Sequence, residues 1–212
     1  MMLCEAIARW PLIETGLIRL LILVLDAKAE PAHAILSALY SGRAQIDAIA
    51  AAAKSVLEGD NLTAFLAVTR IFQTQARTRN KLVHQMWGES PEVPDALLLT
   101  DPDVDTSRFL SLQTFLREMA NHKPGTENPE LLKLLDKTMP DKSKIFMYKK
   151  KDFEVINRDF EETSQIIHLT EFLFRTGRFG FPSRDEVLRK LSGLRLYREA
   201  IESFQSGSQN SP

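Results

Sequence analysis

Apolar residues recur at three- and four-residue spacing through the first and last parts of the chain, and this spacing constrains the fold more than any other feature. It is the period of an amphipathic helix, in which side chains three and four positions apart share one face. We expect long helices over about 4–27, 31–58, 62–88 and 152–177, and a last helix over about 183–204. The sequence therefore predicts an all-α fold.

The segment 89–151 breaks this pattern, because prolines at positions 91, 94, 102, 124, 129 and 140 divide it into short pieces. Within it, 96–99 and 145–148 are expected to pair as a short β-hairpin, and 107–119 and 130–137 to form short helices. We interpret the segment as an insertion within a single helical domain spanning 1–205. Residues 206–212 are expected to form a disordered tail.

The first helix contains an apolar run, 17–25, that is similar to the core of a signal peptide. Glu5 and Glu14 acidify what would be a basic leader, and Arg19 interrupts the run, which is too short to span a bilayer. We therefore expect a buried helix and no membrane partner. Further apolar residues widen its stripe, at Ile18, Ile22 and Leu23. The helix is then either central in the fold or also faces a partner subunit.

Composition excludes several classes of protein. The 27 basic and 28 acidic residues nearly cancel, so no global field attracts nucleic acid and any such contact must be local. Cys4 is the single cysteine, which excludes an intrachain disulfide or a cysteine-based metal site and favours a cytoplasmic location. The four histidines lack the spacing of metal ligands on one helical face, so we expect neither a metal nor another cofactor.

Charge is nevertheless segregated along the chain. The segment 61–88 contains no acidic residue, and its cations are Arg70, Arg77, Arg79 and Lys81. The following stretch reverses the sign with Glu89, Glu92, Asp95, Asp101, Asp103 and Asp105. This pattern indicates either a local anion-binding site or a solvated basic helix end that complements the helix dipole.

Arg79 is the cation whose position is most unusual. On a helical period it falls in the same stripe as Phe65, Phe72, Ala76 and Val83, so it is aimed at a packed surface. Burying a guanidinium without a partner costs several kcal/mol. It must therefore meet a carboxylate of the first helix, backbone carbonyls, trapped water or an anionic ligand.

His84 follows Arg79 by five residues, which is about 140° around an ideal helix. The two side chains do not meet on a regular, isolated helix, so either the helix unwinds or two chains contribute. Asn80 and His84 are i and i+4 neighbours, and the amide is placed to hold the imidazole in one tautomer. The alternative role for His84 is a structural charge partner of the helix end.

The residues from Arg79 to Gly88 read Arg-Asn-Lys-Leu-Val-His-Gln-Met-Trp-Gly, and this sequence resembles the signature of HEPN-domain proteins. Its position near the end of a third long helix, before a long fourth, also resembles the order of that family. The resemblance implies a four-to-five-helix up-down bundle of HEPN type. The insertion 89–151 and the last helix have no counterpart in it.

Many HEPN proteins are metal-independent ribonucleases that act as dimers and gather the arginine and histidine of both chains in one cleft. The resemblance makes His84 a general acid and base for attack of a ribose 2′-hydroxyl, Arg79 the group that stabilises phosphoryl charge, and Asn80 the orienting residue. It implies a 2′,3′-cyclic phosphate product and RNA contacts from Arg77, Lys81 and Arg70. The implied partners are a second copy, RNA and a separate antitoxin or nucleotidyltransferase, in phage defence or a toxin–antitoxin setting.

Two other hypotheses remain open, because fold alone does not determine function. A noncatalytic helical interaction or regulatory module predicts that Arg79 is fully paired inside one subunit. An unrelated bundle that binds a small molecule predicts an enclosed apolar cavity between helices, away from the histidine.

Overall fold

The chain is mostly helical and contains one three-stranded antiparallel sheet, as described by a computed structural model for residues 2–39, 42–122, 128–176 and 182–208. The helices are α1 Met2–Leu25, α2 Ala29–Ala38, α3 Gly42–Val56, α4 Gly59–His84, α5 Pro102–Asn121, α6 Pro129–Thr138, α7 Lys150–Arg175, α8 Arg184–Gly193 and α9 Arg195–Ser208. The strands are β1 Met86–Gly88, β2 Ala96–Thr100 and β3 Ile145–Lys149. Two compact units result, Met1–Arg79 with Glu154–Pro212 and Asn80–Phe153.

In the first unit, α1 is the central helix. The Trp10 ring lies 5.0 Å from the ring of Phe72 in α4 and 5.5 Å from that of Phe160 in α7. Helices α2 and α3 also pack against α1. The additional apolar residues of its wide stripe are half-buried within the chain, namely Ile18, Ile22 and Leu23. Neighbours in the same chain therefore cover part of the wide stripe. No helix in the described ranges combines the length and apolarity needed to cross a membrane.

Helices α1 and α7 approach each other closely at Gly16. A Cβ atom at this position would lie 2.8 Å from Cγ2 of Ile167, which is closer than carbon atoms pack, so only glycine fits without a shift. One turn later, Nε of Arg19 donates to Oε1 of Glu171 at 2.9 Å. Because Glu171 is buried, this ion pair satisfies a carboxylate that would otherwise be costly.

Local capping signals fix several helix ends. Ser183 accepts a hydrogen bond from the backbone N–H of Glu186, as the predicted capping box requires. Asp152 was expected as an N-cap, but α7 begins two residues earlier at Lys150. Its Oδ2 instead accepts the backbone N–H of Lys149, which is the reciprocal half of a capping box.

The prediction of one continuous helix over 31–58 is wrong, because the chain forms two separate helices there, α2 and α3. Helix α2 ends at Ala38 with Leu39 as its C-cap, and Nε2 of Gln45 in α3 donates to the carbonyls of Leu36 and Leu39 at 3.0 Å each. This side chain satisfies carbonyl groups that a continuous helix would have paired with backbone N–H groups. The break between α2 and α3 is therefore stabilised by Gln45, a residue that follows it in the sequence.

The predicted last helix is also divided, at Leu194, into α8 and α9. The backbone N–H of Leu196 donates to Glu162 of α7 at 2.8 Å, and Arg195 pairs with Asp159 of the same helix. The first turn of α9 is thus held by carboxylates of α7. Helix α9 extends to Ser208, so the first three residues of the predicted disordered tail are helical, and residues 209–212 lie outside the described ranges.

The second unit contains the sheet, in the order β1–β2–β3, together with α5 and α6. The predicted pairing of 96–99 with 145–148 is confirmed, with Leu99 opposite Phe146 and Thr100 opposite Ile145. The expected short helices are present as α5 and α6, which pack against each other. Strand β1 was expected as the end of the third helix and instead pairs with β2.

Candidate functional site

The predicted site residues lie on α4, between Arg70 and the last residue of the helix, His84. The boundary between the two compact units falls within this helix, after Arg79. Before it, Arg70 and Arg77 are exposed and Arg79 is half-buried. After it, the exposed residues are Asn80, Lys81 and His84.

Helix α4 is continuous from Gly59 to His84, so the helix does not unwind between Arg79 and His84. Beyond its last residue, the backbone N–H of Gln85 still donates to the carbonyl of Lys81, which preserves the α-helical pattern. On such a helix the two side chains project about 140° apart. Of the two explanations for their spacing, local unwinding is therefore excluded, and α4 does not present Arg79 and His84 on one face.

Four of the predicted residues do share a face. The spacings of seven, four and three residues place Arg70, Arg77, Lys81 and His84 along one stripe of an α-helix. All four side chains are exposed. Arg79 projects from the opposite side. Because no acidic residue occurs in 61–88, this stripe, the basic face of α4, carries only positive or neutral groups.

The buried side of α4 differs at its end from the predicted stripe. Phe65 and Phe72 are buried as expected, but Val83 is 37% exposed while Leu82 is 1% exposed. The chain folds back directly after the helix, and the indole Nε1 of Trp87 donates to the carbonyl of Leu82 at 3.0 Å. At the end of α4, the residue that faces the interior is therefore Leu82 and not Val83, its neighbour in the sequence.

Strand β1 holds the segment that follows His84. Trp87 stacks on Phe153 with ring centroids 6.1 Å apart, and Phe153 lies 5.8 Å from the ring of Tyr148 in β3. Burial raises the pKa of Tyr148, consistent with this packed setting. His84 thus ends the helix two residues before a strand that is fixed by hydrogen bonds and aromatic contacts. The tryptophan of the motif was visible in the sequence, but its anchoring role was not.

Phe146 is a neighbour of the site that sequence reasoning missed. The Nζ atom of Lys81 lies over its ring, 4.9 Å from the centroid, and 41% of Phe146 is exposed. An accessible aromatic ring beside a cation is the combination on which unpaired nucleobases stack.

At the other end of β3, Lys149 forms an ion pair with Asp95 at 3.1 Å. This contact lowers the pKa of Asp95, and the carboxylate balances the positive charge of the lysine.

The second unit also contains a cavity of about 730 Å³ between the sheet and helices α5 and α6. Apolar side chains of Leu98, Val104 and Ile145 line it together with charged Arg108 and Asp136. Arg108 is held there by donating to the carbonyl of Thr138 at 2.7 Å. The lining is mixed and the cavity is open to solvent, unlike the enclosed apolar cavity that a small-molecule bundle predicts.

Six side chains of α4 make up the candidate site, and four of them form its basic face. Asn80 lies beside that face and Arg79 lies away from it. In the ranges that the structure describes, no group of three or more histidine, cysteine or acidic side chains is arranged to hold a metal ion. Comparison with known proteins finds no family model, no curated protein and no solved structure that matches this chain.

Proposed function

We propose that this chain is a metal-independent endoribonuclease of HEPN type, built on a four-to-five-helix up-down bundle and active as a homodimer. The observation that carries the proposal is the basic face of α4, which ends in the exposed imidazole of His84. This face combines an imidazole, the side chain most often used for general acid–base catalysis, with cations that attract a phosphate backbone.

The proposed reaction uses a nucleophile from the RNA itself. His84 accepts the proton of a ribose 2′-hydroxyl, whose oxygen forms a bond to the adjacent phosphorus while the bond from phosphorus to the 5′-oxygen breaks. The leaving oxygen takes a proton from the imidazolium of His84, so the products are a 2′,3′-cyclic phosphate and a 5′-hydroxyl. The planar guanidinium of Arg79 stabilises charge on the non-bridging oxygens, and Asn80 orients the imidazole. DNA lacks the nucleophile and is not cut.

Two chains are required in this proposal because α4 is unbroken. Arg79 and His84 project about 140° apart on one helix, so each site combines Arg79 of one chain with His84 of the other. The other three members of the basic face, Arg70, Arg77 and Lys81, then bind the RNA backbone on either side of the cleaved bond.

Cleavage of mixed-sequence RNA in the presence of EDTA tests the chemistry. We expect His84→Ala to lower the rate by about 10² to 10⁴, because general acid–base catalysis contributes a factor of this size. His84 is exposed, so the variant should retain the circular dichroism spectrum and stability of the original chain. A substrate with 2′-deoxyribose at the cleavage site is the chemical control. Full activity of His84→Ala would show that another residue moves the proton.

A complementation experiment tests the two-chain site directly. Arg79→Ala and His84→Ala should each cleave RNA far more slowly than the original chain, but a mixture unfolded and refolded together forms heterodimers. In each heterodimer one composite site combines the intact Arg79 and the intact His84, so activity returns. If each site were formed within one chain, no heterodimer would contain a complete site and the mixture would stay inactive.

RNA binding by the basic face has a control in Arg43 of α3, a cation outside that face whose side chain is 91% exposed and lies 3.8 Å from Asp47. Changing Arg70 to Gln should weaken binding of an uncleavable RNA and reduce its salt dependence, because one phosphate contact is lost. Changing Arg43 to Gln should leave both unchanged. Equal effects of the two variants would mean that binding reflects overall charge and not the face.

The second candidate function is a noncatalytic helical interaction module, which the exposed apolar side chains of α5 favour. A chain that leaves RNA uncut under all conditions would support it. For the ribonuclease, the proposed setting is phage defence or a toxin–antitoxin pair, with a separate antitoxin or nucleotidyltransferase as partner.

A further inference from the structure

The ring of Phe146 lies at the edge of the sheet and is held there by its neighbours. In the sheet of the described residues, β3 is an edge strand. Trp87, Leu99 and Phe146 form one row across the three strands, and directly opposite residues of antiparallel strands share a face. Leu99 is fully buried in the middle of this row, whereas Phe146 at its end is partly exposed. The row therefore fixes the position of an aromatic ring that solvent reaches.

The charge around this ring is positive. The Nζ atom of Lys81 lies over the ring, 4.9 Å from its centroid. Lys81 belongs to the segment 61–88, and Phe146 belongs to the segment 142–151, which contains five lysines. Neither segment contains an acidic residue. Aspartates outside the second segment form ion pairs with two of its lysines, which reduces its charge but leaves it positive.

A nucleotide matches both parts of this surface, because its phosphate is anionic and its base is flat and aromatic. An acidic peptide would match only the charge. An exposed contact between a cation and a ring is weak, so Lys81 can turn toward a phosphate and leave the ring to a base. The base must be unpaired, since a paired base is stacked between its neighbours in the duplex. A phenyl ring has no hydrogen-bonding group, so it accepts any of the four bases.

The position of Lys81 relates this surface to the proposed ribonuclease site. Lys81 and His84 are three residues apart on the basic face of α4, which places their Cβ atoms about 5–6 Å from each other. Phe146, Lys81 and His84 all lie in the compact unit Asn80–Phe153. A phosphate bound by Lys81 is then a neighbour of the phosphate at His84 along the RNA. The base on Phe146 therefore belongs to a nucleotide beside the cleaved bond.

We propose that Phe146 and Lys81 form a subsite that binds one unpaired nucleobase and its phosphate next to His84. The identification of the ligand as RNA rests on the proposed ribonuclease function. The stacking residue comes from the segment 89–151, to which the family resemblance assigns no counterpart. The subsite gives that segment a role in holding the substrate.

Fluorescence of a stacked base tests the subsite without any need for cleavage. The probe is a short 2′-O-methyl oligouridylate with one central 2-aminopurine, whose emission falls when it stacks on an aromatic ring. Its 2′-oxygen carries no proton, so the strand stays intact. The unmodified chain should quench the probe. Phe146→Leu should abolish the quenching and weaken binding by about 5- to 150-fold, the range expected for the loss of one stacked base.

Two further variants of β3 serve as controls. Phe146→Tyr keeps the aromatic ring and should preserve both quenching and affinity. Met147→Leu introduces the same residue at the next position, where the side chain is 50% exposed and points to the opposite face of the sheet. It should leave both quantities unchanged. Circular dichroism should show equal helix content for all of these variants.

The same probe annealed to its complementary strand separates base stacking from charge. Phe146→Leu should not change the affinity for this duplex, because its bases do not reach the ring. Lys81→Gln should weaken binding of both forms, and for the single strand it should reduce the slope of log affinity against log salt by about 0.7. This variant also tests the subsite independently of any effect of Phe146→Leu on folding. A salt slope that Lys81→Gln leaves unchanged overturns the proposal.

The outcomes for the subsite and for the ribonuclease differ. Quenching that survives Phe146→Leu, or an equal loss of affinity for single strand and duplex, overturns the subsite even if the chain cleaves natural RNA. Quenching that depends on Phe146 supports the subsite even if the chain leaves natural RNA uncut. An unmodified chain that does not bind the probe overturns the subsite, and a role for Phe146 in contacting a protein would then account for its exposure.

Discussion

The indole Nε1 of Trp87 donates a hydrogen bond to the main-chain carbonyl of Leu82 at 3.0 Å. Leu82 lies in the last turn of α4, where carbonyl groups have no partner within the helix. A side chain of β1 therefore caps the helix that carries His84. The exposed imidazole is held at a defined helix end because the strand that follows is tied back to it.

Replacing Trp87 with Phe should lower the free energy of unfolding by about 1 kcal/mol, because the aromatic contact with Phe153 remains while the hydrogen bond is lost. Trp87→Ala should cost more, since it removes both. Urea denaturation measures the loss, and hydrogen exchange should localise it to amides in the last turn of α4. Equal stability of Trp87→Phe and the original chain would mean that the carbonyl of Leu82 is satisfied equally well by water.

Gly16→Ala should destabilise the chain by about 1 to 3 kcal/mol, because the new methyl group would overlap Cγ2 of Ile167. Combining it with Ile167→Ala removes the overlapping atom. The double variant should then be more stable than the sum of the two single effects, which a double-mutant cycle by urea denaturation measures. Strictly additive effects would show that the helices shift to accept the methyl group without strain.

Asp26→Gly should raise the free energy of unfolding by about 1 kcal/mol. Asp26 has a φ of 46°, in the left-handed region, and lies at the end of α1, where the N–H of Ala27 donates to the carbonyl of Ile22. Glycine adopts this conformation without steric cost, and the change also removes a negative charge from a helix C-terminus. Asp26→Asn separates the two effects because it removes only the charge. Lower stability of the glycine variant in thermal unfolding would contradict the assignment.

Asp159 should make stability depend on pH. Burial raises the pKa of this carboxyl above the unfolded value, against the opposing effect of Arg195. The folded state then binds more protons than the unfolded state between the two pKa values, so stability falls as pH rises through this window. The stability that Asp159 contributes through this proton is fully present below the pKa of the unfolded state and is lost above the pKa of the folded state.

The measurement is the difference in unfolding free energy between the original chain and Asp159→Asn, from about pH 3 to about pH 7. It should move steadily in favour of the asparagine variant as pH rises. A change in the opposite direction would mean that the ion pair with Arg195 outweighs burial.

The parts of the fold that follow from local signals could be predicted from the sequence. The periodic apolar residues identified the long helices, and Ser183 with Glu186 marked the start of α8. The breaks at Leu39 and Leu194 could not be predicted, because each depends on a side chain that is distant along the chain or on another helix. Gln45 caps α2 from α3, and Glu162 holds the start of α9 from α7.

The candidate site was predictable to a similar extent. Helical spacing placed His84 and Arg79 on different sides of α4, and the unbroken helix agrees with that geometry. The contact of Lys81 with Phe146 was not predictable, because it joins residues 65 positions apart whose proximity depends on how the sheet is paired. Strand β1 was missed since three residues are too few to show an alternating pattern.

The pairing of Thr100 with Ile145 has a consequence for how this chain can vary. Two antiparallel residues in this relation can be joined by a turn of two residues, so the segment 101–144 occupies the place of a hairpin tip. Because Met86 also pairs with Thr100, the end of α4 lies at the same end of the sheet as that tip. The α5–α6 segment is thus inserted between two strand ends that already meet, so the register of β2 and β3 does not depend on the length of that segment.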